Sequence, residues 1–276
     1  MKILVGADPE IFMKDAAGKF VSAWGKIPGT KREPYLVNKG AVQVDGNALE
    51  FNIDPAETKE AFIGNIQEVY EKLKEMVPGF NLAIEPVAVF DREYFESLPE
   101  EARALGCDPD FNAWERVVNE RPDINEPLRA AGGHIHLGWL DKKNYADIHD
   151  PNHFEDCILV AKQMDYYLGM WSLLWDKDVK RRALYGKAGC FRPKPYGVEY
   201  RTLSNVWLKD EALMGWVYDA ATKGMKDLDN GLVAAETMGD FAESTINNNN
   251  YTWRRGNQSI LIRLGLEFPK HLEAAA

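Results

Sequence analysis

The chain has 276 residues, 45% of them hydrophobic and 28% charged, with a formal net charge of −10. That length supports a full core, and the composition is that of an ordinary globular protein. A surface this acidic repels the phosphates of nucleic acids and anionic lipids, so nonspecific polyanion binding is not expected. There is no run of 18 apolar residues, so no membrane span is expected. The three cysteines, Cys107, Cys157 and Cys190, form no CxxC pair. They suggest a reducing, cytoplasmic setting without disulfides or a zinc knuckle.

Taken in chain order, KILVG at 2–6 reads as a buried strand leading into Asp8-Pro9-Glu10. Residues 41–53 alternate polar and apolar around Asp45-Gly46-Asn47, the pattern of a hairpin or a bulged strand pair. Asp54 and Pro55 read as the start of a helix. Phe62, Ile66, Val69, Leu73 and Met76 repeat at helical spacing up to Pro78-Gly79. Residues 82–90 read as a strand, 96–128 as an irregular segment suited to a lid, and 131–140 as a strand. Residues 153–177 form a long helix with a bulky apolar face, 180–207 strand and loop, and 209–227 a second long helix. Strands and helices mix without regular βαβ alternation, so the expected class is α+β with a mostly antiparallel sheet. One domain covers 1–270, and 271–276 is a tail given no role.

Four segments carry chemistry. Asp8 and Glu10, two apart on a strand, face one side, and such carboxylates repel unless a cation lies between them. Glu50 lies between Leu49 and Phe51 and so points away from both; Asp45 precedes it in the same hairpin. His134 and His136 share a strand face, with glycines at 132, 133 and 138 allowing close approach. HxH also occurs in cupins and amidohydrolases. A cupin wants a Glu where Trp139 and Leu140 stand, and an amidohydrolase wants HxH near the N-terminus, so both fit poorly.

The fourth segment, 180–201, holds seven basic residues and one acid, Glu199, in an acidic chain. Arginines among glycines suit phosphate oxygens. Glu199 and Arg201 share a strand face, so one can hold a metal while the other holds a transferred phosphoryl group. Carboxylates with imidazole suit Mg²⁺ or Mn²⁺, and the set as a whole suits phosphoryl transfer. There is no Walker or protein-kinase motif, so any nucleotide site is of another kind.

GADPEIF at 6–12, VDGNALEFN at 44–52, AGGHIHLGW at 131–139 and RRALYGKAGCFRPKPYGVEYRTLSNVW at 181–207 resemble the phage-associated type 2 carboxylate–amine ligases. These amidoligases are relatives of glutamine synthetase and glutamate–cysteine ligase. The resemblance covers most of residues 1–207. It implies a glutamine synthetase-like domain, a curved antiparallel sheet with helices on its outer face, in the host cytoplasm. It also implies ATP with Mg²⁺ or Mn²⁺ as cofactors, and small-molecule or peptide carboxylate and amine substrates. An oligomer is compatible with it.

By that resemblance Asp8, Glu10, Glu50 and Glu199 are metal ligands together with one histidine. His134 is assigned there, and His136 to the nucleotide phosphates. Arg182, Lys187, Arg192 and Arg201 bind phosphate, and Glu199, Arg192 and Arg201 serve catalysis. Asp45 competes with Glu50, and His134 with His136, for the metal roles. The first acid is Asp8 where glutamine synthetase has a glutamate. The expected reaction forms an amide through an acyl phosphate. The alternatives are a phosphotransferase on the same fold and a noncatalytic nucleotide-binding protein.

Overall fold

A computed structural model describes residues 2–103, 110–120, 126–269 and 271. Two curled antiparallel sheets form its centre, which makes the class α+β. In the first, the strands run Leu4–Ala7, Ile135–Gly138, Gly197–Tyr200, Cys190–Lys194, Phe111–Asn112 and Val117–Val118 from edge to edge. In the second, the order is Phe20–Val21, Glu10–Lys14, Ala48–Ile53, Gly40–Asp45 and Tyr35–Val37, with Asn81–Ala83 also paired to Glu10–Lys14. The chain steps from one sheet to the other at Asp8-Pro9. Backbone bonds stitch that step: Glu10 N–H to the Gly132 carbonyl (2.9 Å) and Phe51 N–H to the Pro9 carbonyl (3.2 Å).

Alternation decides which side of each strand meets the core. In the first sheet Val5, Ile135, Leu137, Val198, Tyr200 and Phe191 are all fully buried. They face the helical layer, in which the helix Pro151–Met164 packs behind Cys190–Lys194 and Gly197–Tyr200 and the helix Glu211–Asp229 meets Leu4–Ala7. The helix Lys59–Met76 covers the second sheet and meets the helix Glu211–Asp229. Phe62 stacks on Trp207 there, with ring centroids 5.9 Å apart. Burying each such side chain contributes about 1.5–3 kcal/mol. The opposite side of the strands, carrying the residues between these apolar ones, forms the wall of a cleft.

Several expected boundaries shift for physical reasons. The first helix starts at Lys59, capped by Thr58, whose side chain accepts from Ala61 N–H (3.2 Å). Asp54 and Pro55 do not begin it, because Ala56 pairs with Val5 as a β-bridge and holds the chain extended. The strand expected over 82–90 is broken near Pro86 into Asn81–Ala83 and Val87–Val89. Pro cannot donate to a ladder. The basic segment opens with a helix, Val179–Leu184, capped by Asp178. The long helix passes through a π-turn at Asp165–Gly169. Within the segment 96–128, residues 111–112 and 117–118 are strands of the first sheet; parts of the expected lid, 104–109 and 121–125, lie outside the described residues. Cys157 and Cys190 are free and buried; Cys107 lies outside the described residues. Among those residues no helix is long and apolar enough to cross a membrane.

Gly197 carries a steric demand that the sequence leaves hidden. Its φ is +154°, and a Cβ there would stand 2.0 Å from the Leu137 carbonyl oxygen. Gly197→Ala is expected to cost about 2–5 kcal/mol, combining backbone strain with overpacking. Denaturant titration reads that loss, and a change below about 1 kcal/mol would contradict the close approach.

Candidate functional site

Register places the polar residues in rows across the first sheet. Gly6 faces His136, His136 faces Glu199, and Glu199 faces Arg192 on successive strands. One step along, Asp8 N–H bonds the His134 carbonyl (3.4 Å), which brings Asp8 beside His134. Arg201, two residues beyond Glu199, reaches His134 Nδ1 at 3.3 Å. In the second sheet Glu10 faces Glu50, and Glu50 faces Gln43. All of these side chains except Gly6 and Gln43 are sequence-predicted site residues. All but the fully buried Glu199, which lies beneath the wall, line one cleft of about 710 Å³, together with Lys194.

Glu199 is the buried centre. It is fully inaccessible and ion-paired to Lys194 (2.7 Å), Arg192 (3.3 Å) and Arg201. Burial disfavours its charge, but Arg201, Lys194 and Arg192 overcome that and hold its pKa well below the usual range. Arg201 also pairs with Asp110 at 3.1 Å. It sits in a ring of acids that keeps it firmly protonated despite burial.

Asp8 shows the same balance. Burial raises its pKa, and His136 and His134 pull it below the ordinary carboxylate range. His134 Nδ1 lies 3.2 Å from Asp8 and 3.4 Å from Glu199. Burial and then Arg201 lower the His134 pKa to about 4, so this imidazole is neutral at pH 7.

The second sheet presents the opposite case. Glu10 accepts from Gly132 N–H at 2.6 Å, and Glu50 from the Gln43 amide at 2.6 Å. Burial, then Asp45, raises Glu10 to about 7. Burial, then Asp8 and Asp45, pushes Glu50 well above its ordinary value. Carboxylates this reluctant to ionise together mark a place where added positive charge is favourable.

Asp8, His136 and Glu199 each offer a ligand atom, and these atoms lie within 4.8 Å of one another. The donor set fits a divalent cation. Asp8 Oδ1 and His136 Nε2 are buried and make no hydrogen bond, while His136 Nε2 lies 3.0 Å from Asp8 Oδ2. Tyr196 OH meets the other ring nitrogen, Nδ1. If Nδ1 carries the proton, the Nε2 lone pair points at carboxylate oxygens, which is unfavourable unless a cation lies between. The geometry therefore puts His136 in the ligand cluster, while His134, the histidine first assigned there, turns Nδ1 toward Arg201 (3.3 Å), with Asp8 Oδ1 3.2 Å away. Tyr196 was not singled out from the sequence; only its place beside Gly197 in a strand turn marks it. Tyr196→Phe removes the outer partner of His136 and is expected to weaken Mn²⁺ binding about 10–100-fold, read by calorimetry.

Two expected phosphate residues stand apart. Arg182 is buried behind the cleft and donates to Asn249 Oδ1 (2.8 Å) and the Asp176 carbonyl (3.3 Å). Lys187 is exposed, and its carbonyl accepts from Thr202. Neither lines the cleft, because the helix Val179–Leu184 turns Arg182 toward the helical layer and Lys187 lies in the loop after it. Lys194, not singled out for a role, takes the nearer position.

The fold and the cleft thus define an α+β protein with a buried acid–histidine–arginine cluster able to hold a cation. A scan against protein-family models finds no match, and a search of curated proteins finds no similar sequence.

Proposed function

We propose that this chain is an ATP- and Mg²⁺-dependent ligase that joins a carboxylate to an amine. The observation that carries the reading is the row His136–Glu199–Arg192 across adjacent strands, flanked by Asp8, Arg201 and Lys194. It sets carboxylate and imidazole ligands within reach of three cations on one cleft wall. The sequence resemblance supplies the reaction class, and the row supplies the equipment it needs.

In this reading a carboxylate oxygen of the first substrate attacks the γ-phosphorus of ATP. The new O–P bond forms as the bond to the β-phosphate oxygen breaks, leaving ADP and an acyl phosphate. The amine nitrogen then attacks the acyl carbon, the C–O bond to phosphate breaks, and the nitrogen loses a proton. Arg192, Arg201 and Lys194 hold the phosphoryl oxygens and neutralise their charge. Asp8, His136 and Glu199 would hold a divalent cation, with Glu10 and Glu50 in the same cleft, and its charge would offset that of the phosphates. His134, neutral at pH 7, accepts from Arg201 through Nδ1 and positions it without adding charge.

The test is ATP turnover with Mg²⁺ or Mn²⁺ across pools of carboxylates and amines, comparing the unaltered protein with Asp8→Asn. Phosphate release that needs both a carboxylate and an amine, and is lost in the variant, supports a ligase. Phosphorylated product formed without an amine would identify a phosphotransferase instead. If ATP is neither consumed nor bound with Mg²⁺, the reading fails.

A further inference from the structure

Beside the main cleft lies a smaller recess of about 70 Å³ that shares Glu10, Asp45, His134 and Arg201 with it. Its remaining wall includes Asn47, Asp110, Arg129 and Arg181. Two of these side chains carry polar atoms with no partner. Arg129 is 8% exposed and Asn47 1% exposed, yet Arg129 Nε and Asn47 Oδ1 make no hydrogen bond. The Asn47 amide is oriented by its NH₂, which donates to the Ala102 carbonyl (2.9 Å), so the oxygen is the end left over. Arg129 spends NH1 on the Leu128 carbonyl (2.6 Å) and NH2 on the Arg103 carbonyl, which leaves Nε. A buried donor and a buried acceptor left open cost about 1–3 kcal/mol each unless something else satisfies them.

The wall has two signs of charge. Arg129, Arg181 and Arg201 supply the positive side, Arg201 being paired to Asp110. Arg181 is spent on backbone carbonyls, those of Ala131 (2.8 Å), Thr202 (2.9 Å), Leu203 (2.6 Å) and Arg201 (3.4 Å), and so brings a buried positive charge into the wall with no acid neutralising it at hydrogen-bond distance among the described residues. Asp45, Asp110 and Glu10 supply the negative side. A single anion would meet those acids, and a single cation would meet the arginines. A zwitterion satisfies both. The volume is about five to seven water-sized spheres, and the head group of an α-amino acid has five heavy atoms.

We propose that this recess is the subsite for the head group of an α-amino acid, one of the two substrates of the ligation. Arg129 Nε donates to its carboxylate and Asn47 Oδ1 accepts from its ammonium group. The side chain extends through the shared wall of Glu10 and Arg201 into the larger cleft. The assignment of this ligand as a ligation substrate rests on the ligase reading; binding at the recess does not.

The experiment is calorimetry of the unaltered full chain with each of the twenty L-amino acids, without ATP. Each is paired with its N-acetyl and methyl ester derivatives. At least one free amino acid is expected to bind, and capping either end is expected to weaken it at least tenfold. Arg129→Gln is expected to abolish the penalty for esterification while leaving the penalty for acetylation. Absence of binding by every free amino acid overturns the subsite, as does equal binding of free and capped forms. The capped ligands test the proposal on the unaltered protein even if Arg129→Gln fails to fold. Binding with the expected pattern but no ATP turnover would sink the ligase reading and leave the subsite standing. Turnover of capped substrates as fast as free ones would do the reverse.

Discussion

Glu199→Gln is expected to destroy ATP turnover and to destabilise the fold by about 3–5 kcal/mol, the cost of breaking a buried ion pair on one side. The side chain is fully buried among Arg201, Arg192 and Lys194. Glutamine keeps the shape but leaves those cations facing an amide. For a chain of this size the loss corresponds to roughly 10 °C in melting temperature. Turnover should fall at least about 10²–10³-fold, as expected when a preorganised charge is removed from a site of this kind. A variant that melts within about 1 °C of the parent would show that Glu199 is not the centre of the charge network. Normal turnover in a stable variant would remove it from the reaction.

The second large effect concerns pH. Glu10 is raised to about 7 from an ordinary 4.5, and Glu50 moves in the same direction. A raised group contributes stability that is present below its unfolded pKa and lost as pH rises through its folded value. Asp165, raised by burial to about 7, behaves likewise. His134, lowered to about 4, works in the opposite sense, because its contribution is lost as pH falls. Three groups outweigh one, so the metal-free protein should lose stability between about pH 5 and 8, with Glu10 alone contributing up to about 3 kcal/mol. Asp8 and Glu199, whose pKa values are depressed, set the loss on the acid side. Mg²⁺ or Mn²⁺ should restore the alkaline loss attributable to Glu10 and Glu50 and leave the part due to Asp165. Metal affinity should therefore rise with pH across neutrality, with proton release. Melting curves from pH 4 to 9, with and without metal, separate these contributions. A metal effect independent of pH would exclude Glu10 and Glu50 from the cation's surroundings.

Much of the site is legible because strands obey a period of two. His134 and His136, and Glu199 and Arg201, announce one shared face by spacing alone, and that face is the cleft. Asp8 and Glu10 also reach it, although the chain changes sheets between them, which no pattern in DPE reveals. What spacing cannot show is register. Nothing in the sequence says that His136 lies opposite Glu199 and so groups its ligand atom with those of Asp8 and Glu199. Arg182 and Arg181 are neighbours of one type. Only the helix from Val179 decides that Arg181 enters the recess wall and Arg182 turns away. The helix boundaries at Lys59 and in the π-turn were hidden for a similar reason: a bridge from Val5 and a buried carboxylate at Asp165 override local preference. Asp165 accepts from Tyr200 OH and Trp114 Nε1, both at 2.6 Å, and so ties the helical layer to the strand that carries Glu199.

The pairing of Leu4–Ala7 with Ile135–Gly138, and of that strand with Gly197–Tyr200, fixes an order of events during synthesis. The opening strand is made early, but its only backbone partner among the described residues before Ile135–Gly138 is the single bridge from Val5 to Ala56, and Glu199 and Arg201 follow much later. Until then Asp8, His134 and His136 form an acid–imidazole group without its arginines. Loop closure over such separations is slow compared with forming the helix Lys59–Met76. The charge-balanced cluster is therefore a late product of folding, and a nascent chain that stops short of Glu199 carries Asp8, His134 and His136 without the arginines that balance them.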